Sequence, residues 1–333
     1  MLKFPDNFYW GAATSSHQVE GGTHNDWSEW EYARAKRVAQ YAQQNPLSGG
    51  WPEHIINQYP NPLQEENYIS GRACDHYNRF EEDFDTAKSL GHNAHRFSIE
   101  WSRIEPEEGK FDDQEIEHYR NVIQALRARG MEPFVTLWHY TLPLWMRDKG
   151  GWKSDEILYY FPRYVEKVVS AFKDDVRFWV TINEPEIYTK NAYISGTWPP
   201  GEKNILGYFA AFYNLIEAHI RAYKTIKIIQ PEAQVGIAKD NIYFEAYPGQ
   251  ITSTLYAFLA DWWWNRYFLN QIRRYQDFIG LNYYFHNRIK SFALNQNANE
   301  RVSDMGWELY PKGIYYVLRD LKKYKQPIYI MEN

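Results

Sequence analysis

Cysteine is almost absent from this chain: Cys74 is the one thiol among 333 residues. No internal disulfide can form, and the composition fits a reducing compartment. A lone cysteine of this kind reads as a small, half-buried hydrophobe rather than a nucleophile. Excess positive charge is also missing. A formal net charge of -5 and a pI near 6.1 give no basic field to attract nucleic acid or anionic lipid. No apolar run approaches the roughly 18 residues a membrane span needs. The opening "MLKFPDNFYWGAATS" has no apolar core followed by a cleavage site, so it does not read as a signal peptide. The expectation is a soluble, cytoplasmic protein with no membrane or nucleic-acid partner. Neither G-x-G-x-x-G, a Walker motif nor H-E-x-x-H occurs. The ten histidines form no convincing metal set, since His92 and His95 would fall on opposite faces of one strand. No metal and no cofactor are expected.

What the chain has in excess is aromatic residues: 18%, with 14 Trp and 28 Tyr. Many belong in a core. Flat rings with one polar tip also suit ligands with apolar C–H faces and hydroxyl edges, which is a description of sugars.

A rhythm of amphipathic helix, breaker, short apolar strand and polar strand end runs through the chain. In "IEHYRNVIQALRARG", Ile116, Tyr119, Ile123 and Leu126 recur at helical intervals, and Gly130 closes the helix as a C′ residue. "FPRYVEKVVSAF" places Val165, Val168, Val169 and Phe172 on one face. Strands are expected near residues 8–14, 92–98, 132–138, 177–183, 234–239, 278–283 and 327–331, with apolar runs that suit parallel strands buried on both faces. His139, Asn183, Glu184, Asn282, Tyr284 and Glu332 all fall at carboxyl ends of different strands. In an open doubly wound sheet they would be dispersed; in a (β/α)8 barrel those ends converge on one pocket. The expectation is a single barrel domain over residues 1–333. A Gly-, Pro- and Asn-rich insert at about 31–75 is read as a long loop that walls the site.

A buried strand end is a costly place for a carboxylate. One such glutamate reads as half of an ion pair. Two, Glu184 and Glu332, on strands that lie across a barrel from one another, read as the paired carboxylates of glycoside hydrolysis. One must be protonated to give a proton to the leaving oxygen, and the other ionised. Asn183 precedes Glu184 directly, so both can enter one pocket only if the strand bulges or bends. Arg96 on the second strand is a candidate partner to keep Glu332 charged.

"TINEP" at 181–185 together with "YIMEN" at 329–333 resembles glycoside hydrolase family 1, the β-glucosidase and β-galactosidase group. "FYWGAATSSHQVEG", "HRFSIEWSRIEP", "LWHYTLPLW", "GLNYY" and "DMGWELYPKGIYYVL" resemble further segments of that family in the same order. The resemblance implies a TIM barrel and metal-free, retaining hydrolysis of β-glucosides or β-galactosides through a covalent glycosyl-enzyme. It implies Glu184 as acid/base and Glu332 as nucleophile. Gln18, His139 and Asn183 would bind glycone hydroxyls, and Arg96, Asn282 and Tyr284 would support the nucleophile. Tyr284 would also touch substrate, and Trp307 would line the aglycone side, together with Trp138 or Tyr193.

Departures from the family pattern are Met331 where Thr is usual, Glu100 where a small residue is usual (read as a rim substitution), and a short segment over 240–277. On this reading the barrel carries seven strands and lacks helix 7, strand 8 and helix 8, which in the family supply a Trp and a Glu–Trp pair around the glycone. Reduced activity is then expected. The alternatives left open are a sugar-binding or structural remnant, or a subunit that needs a complementing C-terminal segment. Self-association or a complementing chain across the open barrel edge is the expected protein partnership.

Overall fold

The computed structural model describes residues 3–44, 64–298, 301–303 and 307–333. Seven strands form one all-parallel sheet: β1 (Gly11–Ala13), β2 (Ala94–Ser98), β3 (Glu132–Trp138), β4 (Phe178–Asn183), β5 (Gln234–Asp240), β7 (Phe278–Asn282) and β9 (Ile328–Glu332). They pair in chain order, and the sheet rolls into a barrel that is nearly closed. Among the described residues no ladder joins β1 to β9, so the barrel has a seam there. All seven strands lie where the apolar runs place them. The remaining two strands, β6 (Tyr243–Ala246) and β8 (His286–Ile289), were not expected. They make a small parallel pair just beyond the ends of β5 and β7, with Arg288 clamped on Glu245 at 2.8 Å across the ladder.

The helices follow from their sequences. Asp112 caps the helix Asp113–Ala128 by accepting from the Gln114 N–H at 2.8 Å. The same helix buries Ile116, Tyr119, Ile123 and Leu126, and ends at Gly130 with φ +66°. The helix Ile157–Phe172 turns Val165, Val168, Val169 and Phe172 inward. These faces and the outer faces of the strands make one continuous core. No described helix is long and apolar enough to cross a membrane.

The expected loop over 31–75 needs correction. It opens as helix, because Asp26–Gln44 is a single helix with Ala35, Ala39 and Ala42 on its buried face. A 3-10 turn spans Glu65–Tyr68, and residues 45–63 lie outside the described residues. Cys74 is exposed rather than half-buried.

Inside the barrel, Ala94, Phe134, Phe178, Val180, Ala238, Phe278 and Met331 form a second, smaller core, closed below by Tyr9 and Tyr329. Phe134 and Phe178 stack at 4.3 Å, with Tyr9 edge-on to both. This aromatic plug leaves the carboxyl end of the barrel as the open, polar end. Room for it comes from small residues on β5 and β7. A Cβ at Gly236 would sit 2.5 Å from the Phe278 ring and 2.6 Å from its carbonyl oxygen. Backbone cannot yield as a flexible side chain does. Gly236→Ala is therefore expected to destabilise the fold by about 1–3 kcal/mol, the usual cost of overpacking. Denaturant unfolding measures this, and an unchanged midpoint would show that the interior is looser than described.

Candidate active site

The polar layer above the aromatic plug is built around Arg96, which points inward from β2 and is almost fully buried. Its three donor groups reach three other strands. Nε donates to Thr136 Oγ1 on β3 at 3.0 Å, Nη2 to Asn183 Oδ1 on β4 at 2.6 Å, and Nη1 to Glu332 Oε1 on β9 at 2.5 Å. Tyr284, just past β7, donates its hydroxyl to the other oxygen of Glu332. Burial alone would favour the neutral acid at Glu332. The Arg96 charge and these donors outweigh it and hold the carboxyl below its ordinary range.

Glu184 has different partners. Asn282 Nδ2 donates to its Oε1 at 2.7 Å, and the Tyr140 hydroxyl donates to its Oε2. Both are neutral, and among the described residues no cation pairs with the carboxylate. Burial, reinforced by the negative charges of Asp240 and Glu332, pushes its pKa up to about 8. Two carboxyls in one network thus hold opposite protonation states near neutrality, by the presence or absence of one guanidinium.

Both carboxylates enter this network from irregular strands. In β4 the register shifts between Val180 and Asn183. Val180 lies in the inner core, Ile182 packs in the outer one, and Asn183 faces inward again. Glu184 then adopts φ +41°, so it turns inward as well. This is the bend that two consecutive inward side chains require. In β9 the register shifts so that Ile330 pairs with Leu281 and Glu332 with Asn282. That shift brings Met331 into the inner core and Glu332 to Arg96. A non-glycine residue in the left-handed region costs about 1–3 kcal/mol and is typical of functional sites.

His139 completes the layer. Arg96 fixes the Asn183 amide by occupying its oxygen, so the amide nitrogen faces His139 Nε2 at 3.3 Å and must donate to it. The histidine proton is thereby placed on Nδ1, which is buried with no partner among the described residues. Burial, then the nearby Arg96 charge, depress this pKa to about 3, so the ring is neutral. Asn282 Oδ1 is likewise buried and has no partner among the described residues. A donor and an acceptor are thus left open beside the carboxylates.

Seven of the anticipated residues therefore form one network: Arg96, His139, Asn183, Glu184, Asn282, Tyr284 and Glu332. Trp307 joins at its edge, with its ring 5.6 Å from Tyr284 and 5.0 Å from Phe285. Gln18 is exposed and accepts from Ser15 Oγ at 2.6 Å, outside the network. Trp138 and Tyr193 stand outside the network; both are fully buried, Trp138 against Trp152 and Tyr188. Glu100 is no rim residue either. It is fully buried and accepts from Ser16, Ser102 and Thr141 at 2.9–3.0 Å. Among the described residues no group of His, Cys, Asp and Glu is arranged to hold a metal ion.

Two participants were missed. Tyr140 carries no signal of its own; φ +78° just past β3 swings it over Glu184. Asp240 had a signal, as it ends β5 just as Glu332 ends β9. Its Oδ2 accepts from Trp264 Nε1 at 2.8 Å, and its backbone pairs in register with Asn282. Burial raises its pKa, with Lys239 and the Trp264 hydrogen bond opposing.

Comparison with known proteins gives the family. The chain is 32% identical to "Beta-glucosidase A" of Thermotoga maritima, over 99% of this chain and 78% of that protein. Among solved structures it resembles a β-glycosidase from Pyrococcus horikoshii, with TM-score 0.83 and 34% identity, covering 99% of this chain and 76% of that one. It also resembles the T. maritima β-glucosidase in complex with glucoimidazole, with TM-score 0.84 and 29% identity, covering 99% and 79%. The family model described as "Glycosyl hydrolase family 1" matches residues 1–273. With that match and a seven-stranded barrel of the same kind, the chain belongs to glycosyl hydrolase family 1 and is a β-glycosidase.

Proposed function

We propose that this chain hydrolyses β-glucosides or β-galactosides with retention of configuration, with Glu184 as acid/base and Glu332 as nucleophile. The observation that carries the proposal is the split in partners within one network: Glu332 meets the Arg96 guanidinium, whereas Glu184 lies among neutral donors and negative neighbours, which favours the ionised form of the first and the protonated form of the second. In the first step a Glu332 oxygen bonds to the anomeric carbon as the bond from that carbon to the aglycone oxygen breaks. Glu184 passes its proton to that oxygen, and the aglycone leaves as an alcohol. The ester formed at Glu332 has no charge, so the negative neighbour that helps keep Glu184 protonated disappears. Its pKa falls, and as a carboxylate it takes a proton from water. The water oxygen bonds to the anomeric carbon, and Glu332 is released ionised.

Support for the sugar contacts comes from the open positions on the barrel floor. His139 Nδ1–H can donate to a glycone hydroxyl, Asn282 Oδ1 can accept from one, and Asn183 keeps one amide N–H for another. Gln18 serves as a fourth contact, and Tyr284 and Trp307 form the wall on the aglycone side. Among the described residues β1 and β9 each keep an unpaired edge at the seam, and that edge suits a complementing segment.

Two experiments test this reading. With p-nitrophenyl β-D-glucoside, Glu332→Gln should abolish turnover, and the first sugar seen by proton NMR with the unaltered chain should be the β-anomer. Glu184→Gln should lower kcat about 10²–10⁴-fold on substrates with poor leaving groups, and far less on a dinitrophenyl glucoside that departs unprotonated. Equal losses on both substrates would deny Glu184 the acid role. The pH profile of kcat/KM is the second test. Activity needs Glu332 ionised and Glu184 protonated, so it should fall as pH rises through about 8. Asp240→Asn removes a negative neighbour, makes Glu184 easier to ionise, and should move that basic limb to lower pH. A limb that does not move would remove Asp240 from the site's electrostatics.

A further inference from the structure

The helix Ile251–Asp261 and the π turn Trp262–Tyr267 that continues it are amphipathic in the wrong sense for a monomer. Ser253 and Ala257, small residues, face the body of the protein. The large apolar ones, Ile251, Leu255, Phe258 and Trp262, recur at helical spacing on the outside and are 41–88% exposed. The face continues onto the neighbouring helix Ile205–Ile229. Phe209 lies 6.0 Å from Trp263, which in turn lies 6.2 Å from Trp262, and the Tyr213 hydroxyl meets that of Tyr267 at 3.4 Å. No charged residue falls between Ile251 and Ala260. At the border, Asp261 is paired with Arg266, which also contacts Asp320.

We infer that this face is a dimer interface, covered by the same face of a second copy of the chain. The exposed parts of Ile251, Leu255, Phe258, Trp262, Phe209 and Tyr213 amount to on the order of 700 Å², above the roughly 300–600 Å² of the largest patch on a typical monomer. That is close to the roughly 800 Å² that each partner brings to a standard interface. Without charge on the face, a two-fold arrangement sets no like charges against each other, and each copy supplies the apolar partner the other lacks. The two helices follow β5 and β4, and β4 is the middle strand of the sheet. The face is therefore remote from the β1/β9 seam, and a strand pairing at the seam would leave it bare.

Analytical ultracentrifugation of the full chain over a hundredfold range of concentration tests the inference. The expected mass is twice 39.8 kDa. Leu255→Glu combined with Phe258→Glu, and Tyr213→Glu on the other helix, should each give the monomer with the circular dichroism spectrum retained. Leu90→Glu, at an exposed apolar residue elsewhere, should remain a dimer. A monomer at every concentration overturns the inference. So does a dimer that survives both face variants, which would place the contact elsewhere, as at the seam. A monomer that sediments with phosphatidylcholine vesicles, and no longer does so as the double variant, would assign the face to lipid and overturn it equally.

Discussion

The arrangement at the mouth of this barrel depends on a single buried cation. A guanidinium withdrawn from water is tolerated only if its hydrogen-bond donors are met and its charge is balanced. Arg96 meets that demand with a hydroxyl, an amide oxygen and a carboxylate from three strands. Each partner is fixed in return. Thr136 ties the arginine to β3, the Asn183 amide is oriented by it, and through that amide the tautomer of His139 is set. Glu332 stays ionised because of it. Hydrogen bonds to charged groups contribute about 1.5–3 kcal/mol each, so this one residue both stabilises the open end of the barrel and sets the chemistry there.

Burial by itself would make the two glutamates alike, since it raises any carboxyl. The distinction comes from partner type. Asn282 and Tyr140 offer Glu184 hydrogen bonds without charge, and Asp240 stands close enough to oppose its ionisation. The bulges in β4 and β9 and the left-handed turn at Glu184 are what bring consecutive inward residues to these partners. Regular pleating would have sent Asn183 and Glu184 to opposite faces. The irregularity is concentrated where side chains must converge, and the rest of the sheet is regular.

This division also explains what could be read from the sequence. Strand positions were legible because buried parallel strands are short apolar runs between breakers, and most of the site was legible because barrel strands deliver their last residues to one place. Asp240 obeys the same rule, but its strand "QVGIAKD" carries a lysine that hides the apolar end. Tyr140 could not be anticipated, since only a backbone torsion past the strand directs it. The helix Asp26–Gln44 was obscured by the Gly- and Pro-rich run that follows it; its own residues include neither glycine nor proline and bury a stripe of alanines too small to register as a hydrophobic face. Trp138 and Tyr193 were drawn toward the sugar by their chemistry, and packing placed them in the outer core. Glu100 was assigned to the rim because nothing in a single sequence announces the ring of hydroxyls that accommodates it.

The seam raises a physical question of its own: what keeps β9, and Glu332 with it, in place when one edge of the strand is unpaired. The ladder to β7 holds one side. Side chains hold the other, across the interior. At the closed end Tyr329 of β9 packs against Tyr9 at 6.2 Å, Phe134 at 5.4 Å, Phe178 at 5.6 Å and Phe278 at 5.3 Å. It therefore meets rings from β3, β4 and β7 and from the segment that leads into β1. Such aromatic pairs contribute about 0.5–1.5 kcal/mol each beyond their burial. At the open end the Arg96–Glu332 contact spans from β2 to β9. Both clamps cross the seam without backbone pairing, and together they rival the few net kcal/mol that a short ladder supplies. The nucleophile strand is thus located by the plug beneath it and the arginine beside it, and the geometry of the two carboxylates does not rest on hydrogen bonds along the seam.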